Sequence, residues 1–216
     1  MSIRDLLRGL PVLAHEMPPF DPGDVPDAPV PLFASWLAGA IAAGVDEPHA
    51  MTLSTVDADG APDARVLILK DLDDEGWSFA TSSTSAKGRQ LATEPRVALS
   101  FHWREQGRQV RVRGVARPAD PEVSRRDFLA RPLGSRIATM AGRQSEPLDR
   151  REALDGAFAR ARALVLNTPD LAPEAHTVYL VRPETVEFWQ ADRERRHVRL
   201  RYRRAGEGWE RELLWP

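Results

Sequence analysis

The chain has 216 residues with 30 basic and 32 acidic side chains, a formal net charge of −2, 42% hydrophobic residues and no cysteine. That composition is globular and excludes collagen-like and wholly disordered chains. The missing cysteine excludes disulfides, thiolate metal sites and cysteine nucleophiles and fits a reducing cytoplasm, while the near-balanced charge offers no global field for nucleic acid or an anionic membrane.

Residues 1–31 hold seven prolines and few apolar residues. After a short helix at Ser2–Leu10, this stretch reads as an irregular arm that lies across a partner subunit or is loosely ordered. Met1–Leu10 carries Arg4, Asp5 and Arg8, unlike a signal peptide. The longest apolar stretch, Leu32–Val45, is too short to span a bilayer and reads as a core helix over Leu32–Ala43, opened by Pro31 and stopped at Gly44. A single domain is expected over residues 32–216.

A β-rich centre follows. Met51–Val56 alternates and ends in the turn Asp57-Ala58-Asp59-Gly60. Arg65–Lys70 is an apolar strand with a cation at each end, Asp71–Gly76 turns, and Trp77–Thr81 returns. Ser83–Thr93 reads as a helix, and Arg96–Trp103 with Gln109–Arg117 as a hairpin. Pro121–Ala130 and Leu148–Leu166 are predicted helices, the second with an apolar stripe of Leu154, Ala157, Phe158, Ala161, Leu164 and Val165. Four strands close the chain: Thr177–Val181, Thr185–Trp189, Val198–Arg203 and Trp209–Leu214. The predicted fold is mainly β, a small antiparallel barrel of Greek-key type with flanking helices.

Several chemistries lack their signatures. There is no G-x-G-x-x-G, no P-loop and no G-x-S-x-G elbow, and the five histidines show no metal spacing. What remains is a set of cations, amides and hydroxyls at strand and helix ends. Of the 30 basic residues only Lys70 and Lys87 are lysines, as though a compact ammonium were wanted at two places. Lys87 follows Thr84-Ser85 near a helix start, where backbone amides also favour an anion. Arg and Lys with hydroxyls suit phosphate, and glutamines suit a ring edge. Taken singly, each is also an ordinary surface charge. The basic run Arg193–Arg204 alternates Val198, Leu200 and Tyr202 with Arg199, Arg201 and Arg203, the pattern of a strand with one buried face rather than a nucleic-acid patch.

In order along the chain stand Arg65-Val66-Leu67-Ile68-Leu69-Lys70, Thr81, Ser85-Ala86-Lys87, Arg108-Gln109-Val110, Arg131-Pro132, Gln144-Ser145 and Glu187-Phe188-Trp189-Gln190, then Arg195, His197 and Arg199. This series resembles the pyridoxine (pyridoxamine) 5'-phosphate oxidase family from about residue 45 to the C-terminus. The resemblance implies an FMN-binding split barrel, homodimeric, with FMN at the subunit interface and residues 176–216 as the dimerisation and substrate segment. It implies that Arg65 and Lys87 hold the FMN phosphate. Val66, Leu67, Ile68, Leu69, Lys70, Ala80 and Thr81 would run along the flavin and Gln109 would meet it, with Gln144, Ser145, Trp189 and Arg199 supplied by the second subunit. Lys70, Arg131 and Ser135 would grip the substrate phosphate. Arg195 and His197, the implied catalytic pair, would flank its ring, with His197 a candidate proton acceptor. Hydride would pass from the substrate to the flavin, and O2 would reoxidise it. Arg65 and Lys70 are five residues apart, so alternation puts them on opposite faces of one strand, an arrangement useful at a dimer seam.

Three departures qualify the resemblance. Asp127 stands where the family has a phosphate-contacting tyrosine, the family's Trp-Gly-Gly is absent near His176-Thr177-Val178, and the family's Arg-Leu-His-Asp-Arg reads Arg195-Arg196-His197-Val198-Arg199. The flavin positions are thus better kept than the substrate positions. Beside the B6 oxidase stand a sibling FMN oxidase acting on another aromatic ring, of the phenazine-precursor type, and a non-catalytic flavin-binding module.

Overall fold

A computed structural model describes residues 2–216. The helices are α1 (Ile3–Arg8), α2 (Pro29–Ala42), α3 (Ala86–Thr93), α4 (Pro121–Ala130), α5 (Leu133–Met140) and α6 (Arg151–Asn167). The strands are β1 (Ala50–Val56), β2 (Pro62–Asp73), β3 (Gly76–Ser82), β4 (Arg96–Trp103), β5 (Arg108–Pro118), β6 (His176–Gln190), β7 (Val198–Ala205) and β8 (Gly208–Leu213). They form one sheet in the order β3-β2-β1-β4-β5-β6-β7-β8, and a further pairing of β3 with β6 closes the first six into an antiparallel barrel. The order β4-β1-β2-β3 is a Greek key, as expected.

Four sequence expectations change. The segments Thr177–Val181 and Thr185–Trp189 are one strand, β6, which runs through Pro183. Residues 176–182 pair with β3 only as far as Val181, and pairing with β7 begins at Thr185, so the missing N–H of Pro183 falls between the two ladders. Strand β2 runs on to Asp73, whose Oδ1 accepts from the N–H groups of Glu75 and Gly76 at 2.9 and 3.0 Å and so shortens the turn. Helix α3 starts only at Ala86, because Ser85 caps it: its Oγ accepts from Gly88 N–H at 3.2 Å. Helix α5 was not predicted. Its signal was the apolar spacing of Ile137, Met140 and Ala141, obscured by Pro132 and Gly134 at its start.

The chain forms two compact units, one of residues 1–51, 99–113 and 184–216, the other of residues 52–98 and 114–183. In the first, α2 buries Phe33, Trp36 and Ala40. Phe33 meets Phe101 edge-on at 4.7 Å, Trp36 meets Phe188 at 5.2 Å, and Phe188 meets Tyr202 at 5.8 Å. Each such pair adds about 0.5–1.5 kcal/mol to its burial. The proline-rich arm is fastened to its own chain rather than left loose. Phe20 packs on Trp36 at 5.0 Å, Tyr202 Oη donates to Pro26 O at 2.8 Å, and Arg211 donates to Val25 O at 2.9 Å. Extended, proline-rich backbone leaves carbonyls unpaired within its own segment, and these side chains satisfy them.

In the second unit Phe79 stacks on Tyr179 at 5.5 Å across the β3–β6 ladder. Ile137 of α5 packs against Ala161 and Val165 of α6. Only those two members of the α6 stripe are buried; Leu154, Phe158 and Leu164 stay exposed. Gly114 on β5 marks a close approach, since a Cβ there would lie 2.0 Å from Arg182 O. No described helix is long and apolar enough to cross a membrane, and no group of His, Asp or Glu among the described residues is arranged to hold a metal.

Candidate functional site

Strand β2 has two unlike faces. Leu69 is buried and Arg65 and Leu67 are half-buried, whereas Val66, Ile68 and Lys70 alternate with them on the exposed face. Val66 is 66% exposed and Ile68 38%, an apolar strip that an isolated strand face would not keep without something to cover it. Register slips between Leu69 and Asp71, so a bulge re-aims Lys70.

On the inner face Arg65 is fixed by several acceptors. It donates to Thr55 Oγ1 at 2.6 Å, Leu53 O at 3.3 Å and Gln90 Oε1 at 3.2 Å, and pairs closely with Asp63. Lys87, in the first turn of α3, is 6% exposed. Burial pulls its ammonium below the ordinary lysine value, and the neighbouring Arg65 charge pulls it further, against Asp63, which raises it. Two cations are thus held close together in a partly dry place, which favours an anion between them.

The exposed face of β2 lines a cleft of about 890 Å³. Val66, Leu67, Ile68, Lys70, Ala80 and Thr81 form one wall, and Arg131, Ser135 and Gln144 approach from the helical side. Helix α5 is what gathers this second set. Arg131, just beyond α4, donates to Thr139 Oγ1 at 2.6 Å, and Thr139 in turn bonds Ser135 O at 3.0 Å. Gln144 lines the cleft of its own chain; its neighbour Ser145 stands at φ +73°.

At the floor of the cleft Lys70 Nζ lies 3.0 Å from Asp127 Oδ1, and His176 Nε2 lies 2.7 Å from Asp127 Oδ2. His176 is buried, its ring edge-on to Phe128 at 5.5 Å. Burial acts to raise the Asp127 value, but the hydrogen bonds of His176 and Lys70 and their charges outweigh it, so the carboxyl is held below its ordinary value and stays ionised at neutral pH. The sequence marks Asp127 as a departure and shows His176 only beside the missing Trp-Gly-Gly, and nothing in a spacing of 49 residues shows that they touch.

The remaining expected residues belong to the other compact unit. Gln109 is half-buried on β5. Trp189 and His197 have ring centroids 4.8 Å apart. Asp192 organises the intervening loop: its carboxylate accepts from the N–H groups of Glu194 and Arg196 at 2.8 and 3.1 Å, and its carbonyl from Arg195 N–H at 3.0 Å, with Arg195 at φ +64°. Asp192 N–H donates to His197 Nδ1 at 3.0 Å. That uses the Nδ1 lone pair, so the neutral ring carries its hydrogen on Nε2 and offers a donor there. A proton-accepting role for His197 would require breaking this bond.

Arg199 is held by Glu187 Oε1 through Nε and Nη2, both at 2.9 Å, and Arg111 pairs closely with the other carboxylate oxygen. Glu187→Ala is expected to destabilise the fold by about 1–3 kcal/mol, less than a fully dry pair would cost because Arg111 is half in water; urea denaturation with an unchanged midpoint would refute this. The basic run beyond is paired across strands, Arg201 to Glu212 at 2.9 Å and Arg203 to Glu210 at 2.6 Å, with Leu200 and Tyr202 buried beneath.

Residues 37–165 match the family model described as pyridoxamine 5'-phosphate oxidase, and residues 176–216 match that of the pyridoxine 5'-phosphate oxidase C-terminal dimerisation region. The chain is 43% identical over 194 residues to a pyridoxine/pyridoxamine 5'-phosphate oxidase of Rubrobacter xylanophilus, covering 90% of this chain and 89% of that one. It is 44% identical over 195 residues to one from Azorhizobium caulinodans, covering 88% and 91%. Among solved structures, PhzG from Burkholderia lata 383, in complex with tetrahydrophenazine-1-carboxylic acid, superposes with a TM-score of 0.86 at 34% identity, covering 94% of this chain and 100% of that one.

Proposed function

Because the chain belongs to the pyridoxamine 5'-phosphate oxidase family, we propose that it is an FMN-dependent oxidase acting on a pyridoxine-type ring, with pyridoxine or pyridoxamine 5'-phosphate as reference substrates and O2 as acceptor. The observation that carries this reading is the two-faced strand β2, with Arg65 and the buried Lys87 on one side and Val66, Ile68 and Lys70 lining a cleft with Arg131 and Ser135 on the other.

These residues fit FMN. A buried ammonium coupled to a guanidinium suits its phosphate, and the apolar strip of Val66 and Ile68 suits a flat ring. Bound there, FMN would supply two-electron oxidation with O2 as the final acceptor, so that a primary alcohol gives aldehyde and hydrogen peroxide, and an amine, with one water consumed, gives aldehyde, ammonia and hydrogen peroxide. The protein's part is binding and orientation. Arg131 and Ser135 face the substrate, while Arg195 and the Nε2–H of His197 would hold its ring. Gln109, with Trp189, Arg199, Gln144 and Ser145 supplied by a second subunit, would complete the flavin site. The match of residues 176–216 to a dimerisation region supports a homodimer, and the exposed Val66, Ile68, Leu154 and Phe158 give it apolar surface to bury.

A second reading, a sibling oxidase of another aromatic ring, is favoured by one observation, the ion pair of Lys70 with Asp127. The deciding experiment is purification with absorbance and oxygen uptake. The expected protein is yellow, has an FMN spectrum and releases peroxide with pyridoxamine 5'-phosphate. A colourless protein that FMN cannot reconstitute would overturn the proposal, and a yellow one inert toward pyridoxamine 5'-phosphate would move it to the second reading.

A further inference from the structure

The Lys70–Asp127–His176 chain deepens the reading above and rests on it. Lys70 is one of only two lysines in the sequence, and it stands on the cleft wall where an anion could reach it. Its ammonium is nevertheless already paired, 3.0 Å from Asp127 Oδ1. Asp127 cannot easily turn away, because its other oxygen is bonded at 2.7 Å to His176, whose side chain is 3% exposed and fixed against Phe128. With Asp127 ionised, its Oδ2 can only accept, so His176 Nε2 is the donor in that bond. The cation and its carboxylate together present no net charge to the cleft. Of the two arginines that line the cleft, Arg143 is paired with Glu146, whereas Arg131 is bonded to a neutral hydroxyl, Thr139 Oγ1 at 2.6 Å, and keeps its charge for a ligand.

We infer that Asp127, positioned by His176, is a specificity-determining residue that competes with a ligand phosphate for Lys70, so that this cleft gains little from a phosphate dianion and accepts rings whose distal substituent is neutral or singly charged. A dianion entering beside Lys70 must displace a carboxylate already in place or lie against it. At the effective dielectric of a partly buried site, a like charge a few ångströms away lowers affinity by roughly ten- to a hundredfold. A hydroxymethyl group meets no such repulsion and a single carboxylate about half of it, and Arg131 and Ser135 can meet either.

The test compares pyridoxine 5'-phosphate with pyridoxine on the flavin-loaded protein, with ligand binding followed by calorimetry and flavin loading by absorbance. The wild type is expected to prefer the phosphorylated ligand by less than about tenfold, and Asp127→Asn to raise that preference by at least tenfold. Lys70→Gln is expected to change the wild-type preference less than threefold, because its charge is already spent, and to abolish the gain made by Asp127→Asn. A wild-type preference above a hundredfold, an unchanged preference in Asp127→Asn, or a tenfold loss in Lys70→Gln alone would each overturn the inference. Should Asp127→Asn fail to fold, the Lys70→Gln result decides by itself. Failure to hold flavin counts against the oxidase reading, whereas a wrong phosphate preference in a yellow protein counts against this one.

Discussion

Replacing Lys87 by methionine is expected to weaken FMN binding by about ten- to a hundredfold while leaving the flavin-free fold as stable as before, or more stable. The two effects have opposite signs for one reason. Lys87 is 6% exposed and stands beside Arg65, so its charge is penalised by burial and by a like neighbour. Removing the charge relieves the empty site. It would also remove the charge-assisted hydrogen bond proposed to the flavin phosphate, worth about 1.5–3 kcal/mol. The pH dependence follows from the lowered value. As pH rises through it, the folded protein sheds the penalised proton first and the flavin-free fold gains stability. That gain ends near 10.5, where the unfolded lysine also deprotonates, and FMN affinity falls over the same interval. Fluorescence titration of the flavin-free protein and its thermal denaturation measure both halves. A variant that loses stability yet binds FMN normally would show that Lys87 is a structural residue and no anion ligand.

Gly114→Ala carries a large expected cost to stability. A methyl group there would sit 2.0 Å from Arg182 O and 2.8 Å from its carbonyl carbon. Those atoms are backbone of β6, the strand that closes the barrel through its ladder with β3. No rotamer change can relieve the contact, so the strands must move apart and lose ladder bonds. Overpacking of a rigid interior costs about 1–3 kcal/mol and more where backbone must shift; at about 2–4 °C per kcal/mol for a chain of this size, the melting temperature should fall by roughly 10 °C. Gly134→Ala, at a helix position where a Cβ would meet nothing within 4 Å, is the control and should change little. Equal melting temperatures for the two variants would refute the close approach.

What could be read in the sequence was whatever depends on neighbours along the chain. Alternation placed Arg65 and Lys70 on opposite faces of β2, and the structure separates them in that way. Turn residues and helix caps marked most element ends. Contacts between distant residues were not legible. Asp127 stood out as a departure and His176 only beside one, but their hydrogen bond depends on how α4 and the start of β6 are brought together. Of the acceptors that fix Arg65, Asp63 is a neighbour on β2, but Leu53, Thr55 and Gln90 lie on β1 and α3 and share no pattern with it. The His197 tautomer is likewise set by one backbone N–H five residues away, a fact of loop conformation. Helix α5 was missed for a local reason: Pro132 and Gly134 are turn residues, and here tertiary packing of Ile137 overrides them.

The chain passes between its two compact units at residues 51/52, 98/99, 113/114 and 183/184, each time inside a strand rather than a linker. During synthesis this imposes an order of completion. The unit of residues 52–98 and 114–183 has all its segments once residue 183 has left the ribosome. The other unit joins residues 1–51 with residues 184–216 and waits for β7 and β8. Until then Trp36 of α2 lacks Phe188, and a nascent chain stalled before residue 184 should expose it to chaperones and proteases. Loss of residues 187–216 would therefore unpack α2 as well as remove β7 and β8.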